Sequence, residues 1–280
     1  MTYSKNIPFS YIEGSFMAVP VTINGSIPQK FIFDTGIGIS LISKSLCEKL
    51  KCSENGKHTG KRMSGQEVTI PMTSITSLSM GGQELKHVPV GIFDMEALMP
   101  GTGIDGFLSL GFFKKFPFTV DYEKQVITFE SSESLEKIRS EGVVVQVKPD
   151  EQGEAFGIFM PLVLPNNQQI SVEVDTGSQA LILHERYMKS LGVSATDPKV
   201  KRKDGKDETG HMYSRFFTSL SGSVHLPHSP AMKMNSPEVM FQKIIYDGLV
   251  GHYFLKQFRV TFDLEKSEMI FRRHQASSEH

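Results

Sequence analysis

Along most of the chain, apolar and polar positions alternate in short runs, the two-residue period of half-buried strands. The run FMAVPVTI at 16–23 is the first clear case, and Asn24-Gly25 behind it is a strong hairpin signal, since both residue types accept positive φ. A return strand at 30–33 runs into Asp34. After Gly36, residues 39–42 predict a short buried strand, and Ser43 can cap a helix to about Lys51 with Leu46 and Leu50 on one face. Strands follow at about 75–80 and 87–93, divided by Gly81-Gly82. Then come a loop at 94–103, a short helix near 112–115 and a closing hairpin from Phe118 to Phe129. Residues 1–14 form a lead-in that begins with a strand.

The second half repeats this plan. SSESLEKIRSEG at 131–142 predicts a charged linker helix stopped by glycine, and 143–147 restarts the strands. A helix is expected from His184 to Leu191. Residues 199–209 (KVKRKDGKDET) read as a solvated loop, with a flap as the alternative. Residues 222–236, with Pro227 and Pro230, read as irregular, and 274–280 as frayed.

The repeat is visible residue by residue. FIFDTG ends at Gly36 and VEVDTG at Gly177, each a run of strand formers entering Asp-Thr-Gly. Downstream, Asp105-Gly106-Phe107-Leu108-Ser109 precedes KKFPFTVDYEKQVITF, and Asp247-Gly248-Leu249-Val250-Gly251 precedes KQFRVTFDLEKSEMIF. Phe116 aligns with Phe258, Thr119 with Thr261 and Asp121 with Asp263. The offset is 142 residues there and 141 at the Asp-Thr-Gly triplets. A carboxylate at a strand end, followed by a glycine with no Cβ to obstruct an approaching group, becomes two such carboxylates across a pseudo-twofold axis. Asp105 and Asp247 each open a turn into an apolar strand and are read as turn formers.

These motifs resemble the retropepsin-like and pepsin-like aspartyl protease superfamily, in its tandem single-chain form, over nearly the whole chain. The resemblance implies a mostly β fold of two similar retropepsin-like barrel lobes with short helices, at 1–141 and 142–280. It implies an aspartic endopeptidase with Asp34 and Asp175 as catalytic pair. Thr35 and Thr176 would exchange hydrogen bonds across the axis, and Gly36 and Gly177 would present N–H groups to the carboxylates. A substrate-covering flap would lie within 55–70, with Gly60 and Gly65 for bendability and Met63 reaching ligand; a plain exposed hairpin is the other reading of that stretch. Two departures stand out. Ser109 replaces the family's glycine and should loosen packing beneath the first loop. Ile37 follows the first triplet where Ser178 follows the second, and only serine can hydrogen-bond its aspartate, so the carboxylates should be unequal.

Composition narrows the alternatives. With 39% hydrophobic and 22% charged residues, 280 residues are ordinary globular material, and a formal net charge of −1 points to no nucleic-acid partner. No apolar run is long enough for a membrane span, and none of the nine histidines has metal-ligand spacing, so neither metal nor cofactor is called for. His184 and His252, near the second motif, are read as structural. Cys47 and Cys52 are read as free thiols. With no leader visible, that modestly favours a cytoplasmic setting, or a periplasmic or secreted one if a leader was removed. The expected partner is a peptide or protein substrate and the expected active unit a monomer. A non-catalytic peptide-binding module is the runner-up. A two-carboxylate glycosidase is disfavoured by the Asp-Thr-Gly pattern and the absence of tryptophan.

Overall fold

The internal repeat is carried into the strand register. A computed structural model describes residues 5–26, 28–206 and 210–274. The described residues form three sheets: one of eight strands from the first half, one of ten from the second, and one of six that draws on both. In each lobe the strand entering Asp-Thr-Gly lies parallel to the strand of the Asp-Gly motif. Phe31 lies opposite Gly106 and Asp34 opposite Ser109; Val172 lies opposite Gly248 and Val174 opposite Val250. That Asp-Gly strand is in turn antiparallel to the short strand after the turn, with Ile42 opposite Gly106 and Leu183 opposite Gly248. The fold is mostly β, with two lobes built on one plan.

The shared sheet locates the symmetry axis. Strands Phe118–Asp121 and Phe258–Asp263 run antiparallel with Thr119 opposite Thr261, the residues that the repeat makes equivalent. Their hydroxyls are 2.7 Å apart, and the Phe118 and Phe262 rings stack at 4.6 Å. Asn6–Pro8 flanks this sheet beside Val126–Phe129 and Val143–Gln146 flanks it beside Glu268–Arg273, while the central pairing of Phe118–Asp121 with Phe258–Asp263 stitches the halves together. Buried Asp121 and Asp263 are compensated by Arg259 at 3.1 Å and Arg139 at 3.0 Å. Arg139 comes from helix Ser132–Glu141, which the Ser131/Ser134 capping box starts and which buries Leu135 and Ile138. Phe33, Phe113, Phe254 and Phe271 belong to one apolar cluster that runs through both lobes.

Several local expectations are corrected. Ser43 caps its helix, but the helix is shorter, Lys44–Lys49. Strand Glu67–Met80 begins eight residues before the expected start because Pro71 disguises the alternation. Residues 184–191 form two 3-10 turns, Glu185–Tyr187 and Lys189–Leu191, rather than an α-helix. They are held by side chains: the Tyr187 hydroxyl donates to Asp247 at 2.7 Å, and Arg186 also bonds that carboxylate. Residues 222–236 are not irregular but a hairpin, Ser223–Leu226 with Ser229–Asn235. Pro230 is tolerated because its strand is the sheet's outer one, and His228 takes the positive φ of the turn. The charged stretch at 199–209 is largely strand Lys201–Lys206, paired with Met212–Ser219; residues 207–209 lie outside the described residues, as do 1–4 and 275–280.

Ser109 does not loosen the first lobe. Its N–H donates to the Ser40 hydroxyl at 3.1 Å and the two hydroxyls are 3.2 Å apart, all buried. In the second lobe a Cβ at Gly251 would lie 2.4 Å from the Ser178 carbonyl oxygen, so the loop there closes tightly over a glycine. Each lobe satisfies the same loop by a different route. Both cysteines are free, and burial pushes the Cys47 thiol up to about 12, so it is held as an unreactive thiol. No helix is long and apolar enough to cross a membrane.

Candidate active site

Strand Gln29–Asp34 and strand Gln169–Val174 deliver their Asp-Thr-Gly turns to the same point on the pseudo-twofold axis. The threonines lock the turns reciprocally. The Thr35 N–H donates to the Thr176 hydroxyl at 3.1 Å, and the Thr176 N–H to the Thr35 hydroxyl at 3.0 Å. Each hydroxyl then donates onward across the axis, Thr35 to the Val174 carbonyl at 2.6 Å and Thr176 to the Phe33 carbonyl at 3.1 Å. Both threonines are fully buried, so every polar atom of the crossing needs such a partner.

Above this crossing the carboxyl groups of Asp34 and Asp175 face each other, placed to share a proton. Each also accepts from the glycine of its own turn, Gly36 N–H to Asp34 and Gly177 N–H to Asp175, both at 2.9 Å. Glycine is a steric requirement here. A Cβ at Gly36 would lie 2.6 Å from Asp175 Cγ, and one at Gly177 2.5 Å from Asp34 Cγ. Burial raises the affinity of both carboxylates for protons, against the hydrogen bonds from the glycine turns. Asp175 is pushed furthest, by burial first and then by the negative charge of Asp34 and Glu173. The mutual contact of the two aspartates works in the same sense, favouring charge on Asp34 and a proton on Asp175. Two acids in contact in such a place hold one proton between them, and the environment draws it towards Asp175.

A family model described as aspartyl protease matches residues 19–112, the part that holds the first triplet and the Asp105-Gly106 motif. That part of the chain is aspartyl protease-like, and the whole has two lobes built on one plan. Among solved structures, basic 7S globulin from soybean is similar over 96% of this chain and 94% of its own, at 9% identity and a TM-score of 0.55. The structure titled edgp covers the same shares at 11% identity and a TM-score of 0.54. At such identities these likenesses concern the fold. No curated protein matches the chain in sequence. The second triplet lies outside the matched residues; its equivalence rests on the repeat and on the threonine crossing.

The cleft above the carboxyl groups measures about 440 Å³ and is roofed by two hairpins. From the first lobe, Gly56–Lys61 and the start of Glu67–Met80 carry the tip at 62–66 over the carboxylates. Gly60 and Met63 line the cleft, whereas Gly65 sits at the tip turn against Ile245. The Met63 side chain packs on Ile182, Met240, Ile244 and Leu249 of the second lobe, and its carbonyl accepts from the Ile245 N–H at 2.8 Å. From the second lobe, strand Met212–Ser219 brings Tyr213 and Arg215, with the guanidinium 4.0 Å from the Tyr213 ring and bonded to Gln242 at 2.9 Å. Neither residue stands out in the sequence, because the charge of the stretch masks its alternation.

Two further findings concern the second turn. The Ser178 hydroxyl donates to the Ala180 carbonyl at 3.4 Å rather than to Asp175, so the expected serine-to-aspartate bond is replaced by a bond within the loop. The inequality of the carboxylates comes from burial and the charge of Asp34 on Asp175 first, then from Glu173, two residues earlier on the strand that leads to it, and from the Ile37 N–H, which favours charge on Asp34. Glu173 was open to sequence reasoning: it is the one charged residue in either strand entering a triplet from Phe31 or Val172 onward. His252 is buried against Tyr11 and Tyr122, and burial lowers it to about 4, so it serves as a neutral core ring below the Ser178 loop. Asp105 and Asp247 accept from the N–H groups of Lys30 and Ser171 at 3.1 and 3.2 Å, tying the strands outside the cleft.

Proposed function

We propose that this chain is an aspartic endopeptidase that hydrolyses peptide bonds with a water activated between Asp34 and Asp175. The observation that carries this reading is the meeting of two carboxyl groups, each packed against the glycine of the other's turn, at the floor of a roofed cleft. Asp34, the less protonated partner, takes a proton from the water as its oxygen attacks the peptide carbonyl carbon. Asp175 donates its proton to the carbonyl oxygen, giving a neutral tetrahedral diol. Collapse returns the diol's proton to the pair, breaks the C–N bond, and passes a proton to the departing amine. The hairpin tip around Met63 acts as the flap and excludes water once the peptide is seated. Leu98, on the cleft wall, is an exposed apolar residue suited to an extended peptide's side chain. Because one chain supplies both carboxylates, the active unit is a monomer.

The test is an unbiased peptide library incubated with the protein at several pH values, with and without pepstatin. Cleavage that pepstatin blocks supports the reading. Binding of peptides without cleavage would favour a peptide-binding module, and cleavage that pepstatin leaves untouched would mean a different chemistry.

A further inference from the structure

Beside the carboxylate pair lies a recess of about 90 Å³, walled by Gly36, Ala155, Gly157 and Tyr246. Glu173 opens into it. On an extended strand, residues two apart project from the same face about 6.6 Å from each other. Glu173 therefore stands one side-chain step from Asp175, at the height of the residue next to the bond being cut. Gly157 leaves space facing it: even a Cβ there would come within 3.7 Å of the Glu173 carboxyl oxygen. Asp34, Asp150, Asp175 and the Tyr246 phenol act on Glu173 from the surrounding elements, and His58 and Lys61 face the recess from the flap hairpin. Among the described residues none forms a hydrogen bond or ion pair with its carboxyl group. A partly buried acid without a partner is costly; the charges that act on it are those of carboxylates, while Lys61 lines the recess and Arg62, His211 and Arg215 line the adjoining cleft.

We infer that this recess is a subsite for a basic side chain, with Glu173 as its anchor and Asp150 at its edge. The protein then favours peptides with lysine or arginine beside the scissile bond. This rests on the peptide-hydrolysis reading and adds to it a substrate class. A cation seated in the recess supplies the partner that Glu173 lacks, and an unbranched lysine stem fits the narrow space. Burial first, then the charges of Asp34 and Asp150, push Glu173 up to about 8. Seating a cation therefore releases a proton, and the preference strengthens as pH rises towards 8 while lysine stays charged.

The experiment uses two peptides that differ only in lysine or leucine beside the cleaved bond, tested on each side of it in turn. The readout is the ratio of their kcat/KM values, which normalises for any change in folded fraction. For the wild-type chain the ratio should favour lysine by about tenfold or more at roughly pH 7.5. It should rise between about pH 6 and pH 8. Glu173→Gln should bring the ratio close to one and flatten its pH dependence, Asp150→Asn should lower it part-way, and Glu173→Lys should turn it towards a glutamate-bearing peptide. A wild-type ratio near one on both sides of the bond, or a ratio unchanged in Glu173→Gln, overturns the inference. If neither peptide is cleaved, the same pair with a reduced amide at that bond is titrated calorimetrically. A lysine preference in binding that Glu173→Gln removes would uphold the subsite while the hydrolysis reading fails; equal binding, or none, overturns the subsite too.

Discussion

Two residues before its Asp-Thr-Gly aspartate, the first lobe carries Ile32 and the second carries Glu173. The backbones around them correspond: Ile32 pairs with Ala18 and Phe107, Glu173 with Phe159 and Leu249. Ile32 is fully buried in an apolar cluster with Ile39, Leu41 and Met72, which closes that face of the first lobe. Glu173 opens on the cleft instead. The same division recurs one turn later, where hydroxyls of Ser40 and Ser109 fill the space that the second lobe closes over Gly251. The threonine crossing, by contrast, is identical from both sides. Symmetry is kept where backbone groups must be satisfied across the axis and given up where side chains meet the cleft.

The crossing is the place where one atom should cost most. Gly177→Ala, or Gly36→Ala, drives a methyl group into the opposing carboxylate and displaces it by about an ångström, which should lower kcat/KM by about 10²-fold or more. Steady-state kinetics, with circular dichroism to verify folding, measures this. Retained activity would mean that the two carboxylates do not act at the spacing seen here.

The serine and glycine solutions beneath the loops should not be interchangeable. Gly251→Ser meets only backbone atoms within 3 Å, none of which can move cheaply, and should cost about 1–3 kcal/mol. Ser40→Ala removes the acceptor of a buried N–H and one hydroxyl contact and should cost about 1 kcal/mol. Denaturant unfolding with unchanged m-value would read both, and a neutral Gly251→Ser would erase the distinction between the lobes.

A smaller effect separates the lobes by pH. Glu173 is raised to about 8 in the fold, so the folded state holds a proton that the unfolded chain, with an ordinary carboxyl, gives up. Its contribution is fully present below about pH 4.5 and declines as pH rises to about 8, where the folded form also ionises. Glu173→Gln should therefore raise the melting temperature by a few degrees at pH 8 relative to wild type, and change it least at pH 4. The charge of Glu173 also holds Asp175 up, so the variant's alkaline loss of activity should move to lower pH.

Much of this was legible in the sequence because the repeat marks the residues that the axis constrains. Asp34, Asp175, Thr119 and Thr261 are found by register alone, and each lies where its equivalent predicts. The helix expected at 184–191 comes from repeating the first lobe's plan, whereas Asp247, 60 residues away in sequence, fixes Tyr187 in a tighter turn. The hairpin at 223–235 was hidden by prolines that an outer strand tolerates. Ser178 was assigned to its aspartate because sequence shows who is near but not which acceptor a hydroxyl will choose. Glu173 was in plain view inside VEVDTG, and the alignment with Ile32 in FIFDTG marks it as the odd residue of the pair.

The central claim is that one chain builds one working pair from two unlike lobes, and mixing two variants tests it most directly. Asp34→Asn and Asp175→Asn are assayed apart and together on a peptide that the wild-type chain cleaves. Each variant should lose at least about 10²-fold in kcat, and the mixture should stay as inactive as its parts, since every molecule lacks one carboxylate. Wild-type activity per molecule should be unchanged on dilution, because the lobes are covalently joined at an effective concentration of about millimolar. Recovery of activity on mixing, or full activity in either single variant, would contradict the account.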